Sequence, residues 1–231
     1  MVTLSTIQKD VRILLDHNEE FNSITVGTEI LDDDQLNLDE IIENQVESAA
    51  RMVMLSAPRS YINWSLYSFP DTASNNAFNA TGVFKLPQDY LRFGMLKLGE
   101  WQKAVNLYSA MQDAEYSMQQ SEFEGIKATN RKPVVILAES GEGGMEVQTY
   151  PFEENDTLKF TYCKQPKIVT DTTDNNTKKL DITDTLYRPF IYMLGAMVAE
   201  VLKDTEKSNE LMTASKAMLT NPDEVVQQTN Q

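Results

Sequence analysis

The feature that most restricts the fold is a change in hydrophobic period, made twice. Near the start, Leu4, Ile7, Val11, Leu14 and Leu15 recur at three-and-four spacing, which predicts a helix over about Leu4 to Leu15, with Ser5 and Gln8 as a capping box. A second helix is predicted from Leu38: Asn37 is its cap, Glu40 lies three residues on, and Leu38, Ile41, Ile42, Val46, Ala49 and Val53 keep the 3.6 period until Pro58. The middle of the chain changes to short runs of alternating apolar and polar residues. Strands are expected at Val83–Leu86, Leu91–Leu98, Lys103–Tyr108, Pro133–Ala138, Met145–Tyr150 and Thr157–Cys163. Near Asp184 the helical period returns in Leu186, Phe190, Met193, Leu194, Met197, Val198 and Val201, where Pro189 is tolerable only in a first turn. Gly195, Ala196 and Ala199 leave room for a close helix neighbour, and a last helix is expected over about Thr205 to Leu219.

These periods imply an α+β fold: helices from both termini pack together, and a β-rich sheet or barrel domain is inserted between them. The expected parts are a helical 1–66, a β-rich 67–180, completing helices over 181–220 and a polar tail over 221–231. Within the middle, Leu86-Pro87-Gln88-Asp89-Tyr90-Leu91-Arg92-Phe93 ends one strand, turns with Pro87 in the second position of a β-turn, and opens another buried strand. Gly141-Glu142-Gly143-Gly144 joins two strands as a hairpin. Asp113 to Glu124 is expected to be a short helix carrying Tyr116 and Phe123, and Thr170 to Lys179 a polar link. A short strand is also expected around Ile24-Thr25-Val26, and residues 69–81 read as a loop.

A chain of 231 residues can bury a sizeable core. Its formal charge of −15 disfavours non-specific nucleic-acid binding, which rests on Lys and Arg displacing counterions. The asymmetry is greatest from Asp16 to Glu47, which holds eleven acidic residues and no Lys or Arg. Cys163, the only cysteine, allows no internal disulfide and is expected to pack as a small hydrophobe. No run approaches the length of a membrane span and MVTLSTIQKD lacks a leader pattern, so the chain is expected to start at or near Met1 and to be soluble. The Asn-x-Ser/Thr matches at Asn63, Asn79, Asn155 and Asn175 then lack a glycosylation context.

For chemistry the sequence offers little. His17, the only histidine, sits beside Asp16 and reads as a surface or capping residue. No Gly-Lys-Ser/Thr follows the glycines at 141–144, and Glu139 and Glu142 would repel a phosphate. Asp32, Asp33 and Asp34 read as a hydrated acidic loop, because Asn37 stands where a calcium loop beginning at Asp32 needs glycine. Asp171, Asp174 and Asp181 form a looser group diluted by Lys178 and Lys179. Met193, Met197, Met212 and Met218 read as core fillers. No enzyme, metal site or cofactor is expected.

The order of acidic helical start, β-rich centre and C-terminal helices carries further marks: Asp39-Glu40-Ile41-Ile42 opening an early helix, Leu86-Pro87-Gln88-Asp89-Tyr90-Leu91-Arg92, a strand ending near Trp101, and Arg131-Lys132-Pro133-Val134-Val135 before another strand. In these the chain resembles the head–tail connector or adaptor proteins of tailed bacteriophages, above all the ring-forming adaptors below the portal in short-tailed phages, crAss-like phages included. The resemblance implies a structural virion protein at the head–tail junction, assembled in the host cytoplasm as a ring of typically twelve copies. Its implied partners are further copies of itself, the portal protein and later tail or ring proteins, with DNA passing through without specific binding. Asp32, Asp33 and Asp34 would then form an acidic channel or surface loop, while Val225 and Val226 would dock the polar tail during assembly. The rival readings are a tail or head-completion component elsewhere in the stack, and an acidic cytosolic binding module that mimics DNA.

Overall fold

The computed structural model describes residues 1–15, 37–67, 82–99, 101–139, 144–152, 158–171 and 177–220. They form an α+β protein divided into two compact units: Met1–Ile62 with Pro166–Gln231, and Asn63–Gln165. The inserted unit thus ends at Gln165, and residues 166–180, expected with the β-rich part, fall with the terminal helices. Their local pairing gives the reason. Strand β1 (Val2–Thr3) pairs with β10 (Thr177–Leu180), which pairs with β9 (Ile168–Asp171), all antiparallel. The expected polar link over Thr170 to Lys179 is therefore strand at both its ends, where β9 finishes at Asp171 and β10 starts at Thr177. Their polar side chains suit a sheet that faces water on one side.

In this terminal unit, α1 (Leu4–Leu14) is capped by Thr3, whose hydroxyl accepts from the Thr6 N–H at 3.3 Å, and not by Ser5. The chain leaves β1 at Thr3, so the helix begins one residue before Ser5 can act as a cap. Helix α1 buries Leu4, Ile7 and Val11. Helix α2 (Leu38–Ser56) begins as expected. The Asn37 side chain accepts from Asp39 N–H at 3.0 Å and Glu40 accepts from Asn37 N–H at 3.3 Å.

Helix α4 (Asp184–Val201) packs against α1, α2 and α5 (Thr205–Leu219), burying Leu186, Phe190, Met193, Leu194, Val198 and Ala199. Gly195 is the close-approach point: a Cβ there would lie 2.8 Å from Leu14 and 3.3 Å from Leu211. Pro189 falls in the second turn, so the bond its N–H would give the Thr185 carbonyl is missing. The buried Ser215 hydroxyl donates to the Pro189 carbonyl at 2.8 Å, tying α5 to α4 there. The turn between α4 and α5 is a Schellman motif: Lys203 N–H donates to Glu200 O and Asp204 N–H to Ala199 O. Lys203 occupies the left-handed position at φ 64°, the place glycine usually takes.

The inserted unit holds two sheets. One orders β2 (Ser65–Leu66), β8 (Lys159–Lys164) and β4 (Tyr90–Lys97). The other orders β3 (Val83–Lys85), β7 (Met145–Tyr150), β6 (Val134–Glu139) and β5 (Ser109–Ala110). Among the described strands only β5 runs parallel to its neighbour. Inward residues of both sheets meet in one cluster: Phe84, Val135 and Val147 from one, Phe93, Leu96, Phe160 and Tyr162 from the other, with Leu98 and Trp101 beside them. The Trp101 indole N–H donates to the Pro151 carbonyl at 2.9 Å, satisfying the one polar atom of that buried ring.

The expected strand over Lys103–Tyr108 is a single bridge, Leu96 with Val105, followed by the two residues of β5. The helix expected over Asp113 to Glu124 shrinks to α3 (Ala114–Gln119), after which Glu124–Ile126 forms a 3-10 turn. Neither element has a continuous apolar face to bury, so neither extends. His17, the expected strand at 24–26, the loop at 69–81 and Gly141 to Gly143 lie outside the described residues.

Candidate assembly surfaces

The Pro87 turn shows how local sequence shapes the inserted unit. Strand β3 pairs with β7, and Leu86 N–H extends that pairing to the Met145 carbonyl at 2.9 Å. The ladder then meets a residue without an N–H. Tyr90 N–H donates to the Pro87 carbonyl at 3.0 Å, so Pro87 holds the first position of the turn, not the second. The turn carries the chain from one sheet to the other, since β4 pairs with β8.

Asp89 fixes the landing: its carboxylate accepts from the Tyr162 hydroxyl at 2.9 Å and lies 3.9 Å from Lys164, while its carbonyl accepts from Gln165 N–H at 2.7 Å. Gln165 Nε2 donates to the Tyr90 carbonyl at 3.0 Å. Burial, then the bond to Asp89 and its negative charge, push the Tyr162 phenol well above its ordinary value. Burial, then Tyr108, push Tyr90 up too, with an opposing effect from the Phe93 backbone. Asp89 is a structural clamp.

The acidic residues of α2 have similar tasks. Asp39 accepts from Arg12, whose Nη2 is 2.9 Å away; Glu40 completes the cap; Glu43 pairs with Lys178 of β10; and Glu47 accepts from the Ile168 N–H of β9 at 2.8 Å. The α2 residues of the acidic run from Asp16 to Glu47 thus tie secondary structure together. Each exposed ion pair contributes only about 0–1 kcal/mol; of these ties, Glu43 and Glu47 are the two that reach the three-stranded sheet.

Asp32, Asp33, Asp34, Val225 and Val226 all lie outside the described residues. Of the looser acidic group, Asp171 pairs with Lys179 of β10 at 2.9 Å and Asp174 lies outside the described residues. Met193 is buried, Met197 and Met212 are half-buried, and Met218 is exposed. Among the described residues no group of three or more His, Cys, Asp or Glu is arranged to hold a metal ion, and no helix is long and apolar enough to cross a membrane.

Cys163 is buried, and burial pushes its thiol up to about 11 against a smaller opposing effect of Arg92. Burial, then the bond to Asp10 and its charge, likewise raise Tyr187. Near neutral pH these groups stay protonated and act as packing and hydrogen-bonding groups, not as bases or nucleophiles.

A third surface is one that hydrophobic periodicity does not announce. Between Trp101 and Pro133 the chain makes a long excursion in which no residue is buried. The Leu96–Val105 bridge and the pairing of β5 with β6 tie it to the sheets, and polar bonds of its own hold the rest: Gln102 N–H to Asn130 O, Ala110 N–H to the Asp113 carboxylate at 2.6 Å, Ala128 N–H to the Gln119 side chain at 2.9 Å, and Lys127 to Glu124 at 2.7 Å. Yet it carries Leu107 and Phe123 exposed at 73% and 75%, with Tyr108, Met111, Met118 and Ile126 exposed as well. The available signal was composition without period: large apolar residues at irregular spacing among polar ones.

No protein-family model matches the chain, and a search of curated proteins finds no significant match.

Proposed function

We propose that the chain is a structural, non-enzymatic virion protein that forms a ring adaptor below a phage portal, extends the DNA channel and joins head to tail. The observation that carries the reading is the architecture: a terminal helical unit built from both chain ends, interrupted by a β-rich unit at whose centre Leu86-Pro87-Gln88-Asp89-Tyr90 carries the chain between sheets. That arrangement agrees with the adaptor resemblance. The charge of −15 supports it as well, because DNA slides past an acidic wall without sticking. In this reading Asp32, Asp33 and Asp34 add to that wall, Val225 and Val226 dock on a neighbouring subunit, and twelve copies close the ring.

A gold-labelled antibody against the protein, imaged on intact particles, tests the location. Label at the head–tail junction is expected. Label along the tail or at its tip would favour a component elsewhere in the stack, and particles without label would remove the virion reading. The same charge favours one competing function, a DNA mimic that binds a basic protein. Such a complex weakens steeply as salt is added.

A further inference from the structure

We infer that the excursion over residues 102–132 is the surface through which one copy of this chain binds a second copy. The partner's identity rests on the self-assembling reading proposed above; the location rests on the excursion itself.

The excursion buries no side chain: Val105 packs against the core of the inserted unit and Tyr108 meets Phe93 edge-on, while Leu107, Met111, Met118, Phe123 and Ile126 stay exposed. If a fully exposed large side chain presents about 200 Å², the exposed fractions of Leu107, Tyr108, Met111, Met118, Phe123 and Ile126 amount to roughly 650 Å² of surface. A standard protein interface takes about 800 Å² from each partner, so these side chains account for most of one.

Charge selects the partner. The chain carries −15, yet within 102–132 four basic residues balance four acidic ones, so the excursion is neutral. Two copies that meet there bring no net like charge together. Beyond Lys103 the signs are also separated along the segment. Asp113, Glu115, Glu122 and Glu124 precede Lys127, Arg131 and Lys132, and all but the half-buried Lys127 are exposed. The acidic limb of one copy therefore complements the basic limb of the next, a head-to-tail contact of the kind that can close a ring. A basic partner would find more charge on the remainder of the molecule.

The test uses the full-length protein. Its mass in solution is followed by light scattering from micromolar to millimolar concentration, beside the double variant Leu107→Asp/Phe123→Asp. Both side chains are exposed, so the variant should keep the wild-type melting temperature. Wild type is expected to associate with rising concentration, and the variant to stay monomeric throughout. Hydrogen exchange of the wild-type chain, dilute against concentrated, gives a reading independent of the variant's folding: protection should grow over 102–132 more than elsewhere.

Wild type that stays monomeric, a variant that associates as wild type does, or concentration-dependent protection confined to other segments would each overturn the inference. Protection of 102–132 produced only by added polylysine would assign the surface to a basic partner and overturn it as well. Portal capture separates the two claims. A chain that associates through 102–132 but ignores portal defeats the adaptor reading and keeps this one, whereas a ring that assembles on portal while 102–132 stays unprotected does the reverse.

Discussion

At the scale of single residues, close backbone approach decides what the inserted unit tolerates. Gly94 sits at an irregularity in the β4–β8 register, where a Cβ would lie 2.6 Å from the Thr161 carbonyl and 2.7 Å from both the Thr161 hydroxyl and Trp64. Backbone cannot yield as a side-chain tip can, so Gly94→Ala is expected to cost about 1–3 kcal/mol. Gly125 has nothing within 4 Å of the same position, so Gly125→Ala should leave stability unchanged. Urea denaturation of the pair checks both. Lys203 offers the opposite sign. Its left-handed backbone costs about 1–2 kcal/mol in a residue with a Cβ, part of which glycine's greater freedom in the unfolded chain offsets. Lys203→Gly is expected to stabilise the protein by about 0.5–1 kcal/mol, read as a higher melting temperature.

The raised phenols set the alkaline limit. Their folded values lie above the ordinary 10.0, so the stability they contribute is fully present below pH 10 and is lost as pH rises through the folded values. Cys163, ordinarily 9.0 and pushed up to about 11, begins the decline slightly earlier. Stability should therefore fall above about pH 9. Tyr187→Phe should lower stability at neutral pH, through loss of the bond to Asp10, and make the alkaline fall shallower. Melting temperature followed against pH tests this.

At the scale of elements, sequence was most informative where one local rule acted alone. Asn37 and Glu40 placed the start of α2, and alternation placed β7 at Met145–Tyr150, because capping and pleating are local. It was least informative where distant partners decide. Strands β9 and β10 contain Thr170, Asp171, Lys178 and Lys179, a composition that reads as a link. They become a sheet because β1 pairs with β10 and Glu47 of α2 receives the Ile168 N–H. The apolar excursion was illegible for a related reason: most of its large hydrophobic residues stay exposed, so no burial imposes a period on them. The tie to α2 is testable. Glu47→Ala should speed hydrogen exchange in β9 while lowering global stability by no more than about 1 kcal/mol, because one peripheral hydrogen bond is lost. Unchanged exchange at Ile168 would show that the sheet holds without it.

At the scale of the whole molecule, three properties combine: a helical unit made from both ends of the chain, an inserted β-rich unit, and a strongly negative net charge that is balanced over the apolar excursion. A protein made to act alone gains nothing from leaving Leu107 and Phe123 uncovered. One made to associate with copies of itself needs such a surface, and its acidity then keeps the remaining surfaces apart. The central claim is that this association produces a ring that docks on a portal. Native mass spectrometry of the full-length chain, alone and mixed with the portal protein of the same virion, tests it most directly. The predicted result is a closed oligomer of identical chains, twelve in number, that shifts as a unit to the mass of a complex with portal. A chain that remains monomeric in the presence of portal, or that binds a basic protein and leaves portal free, would contradict the account.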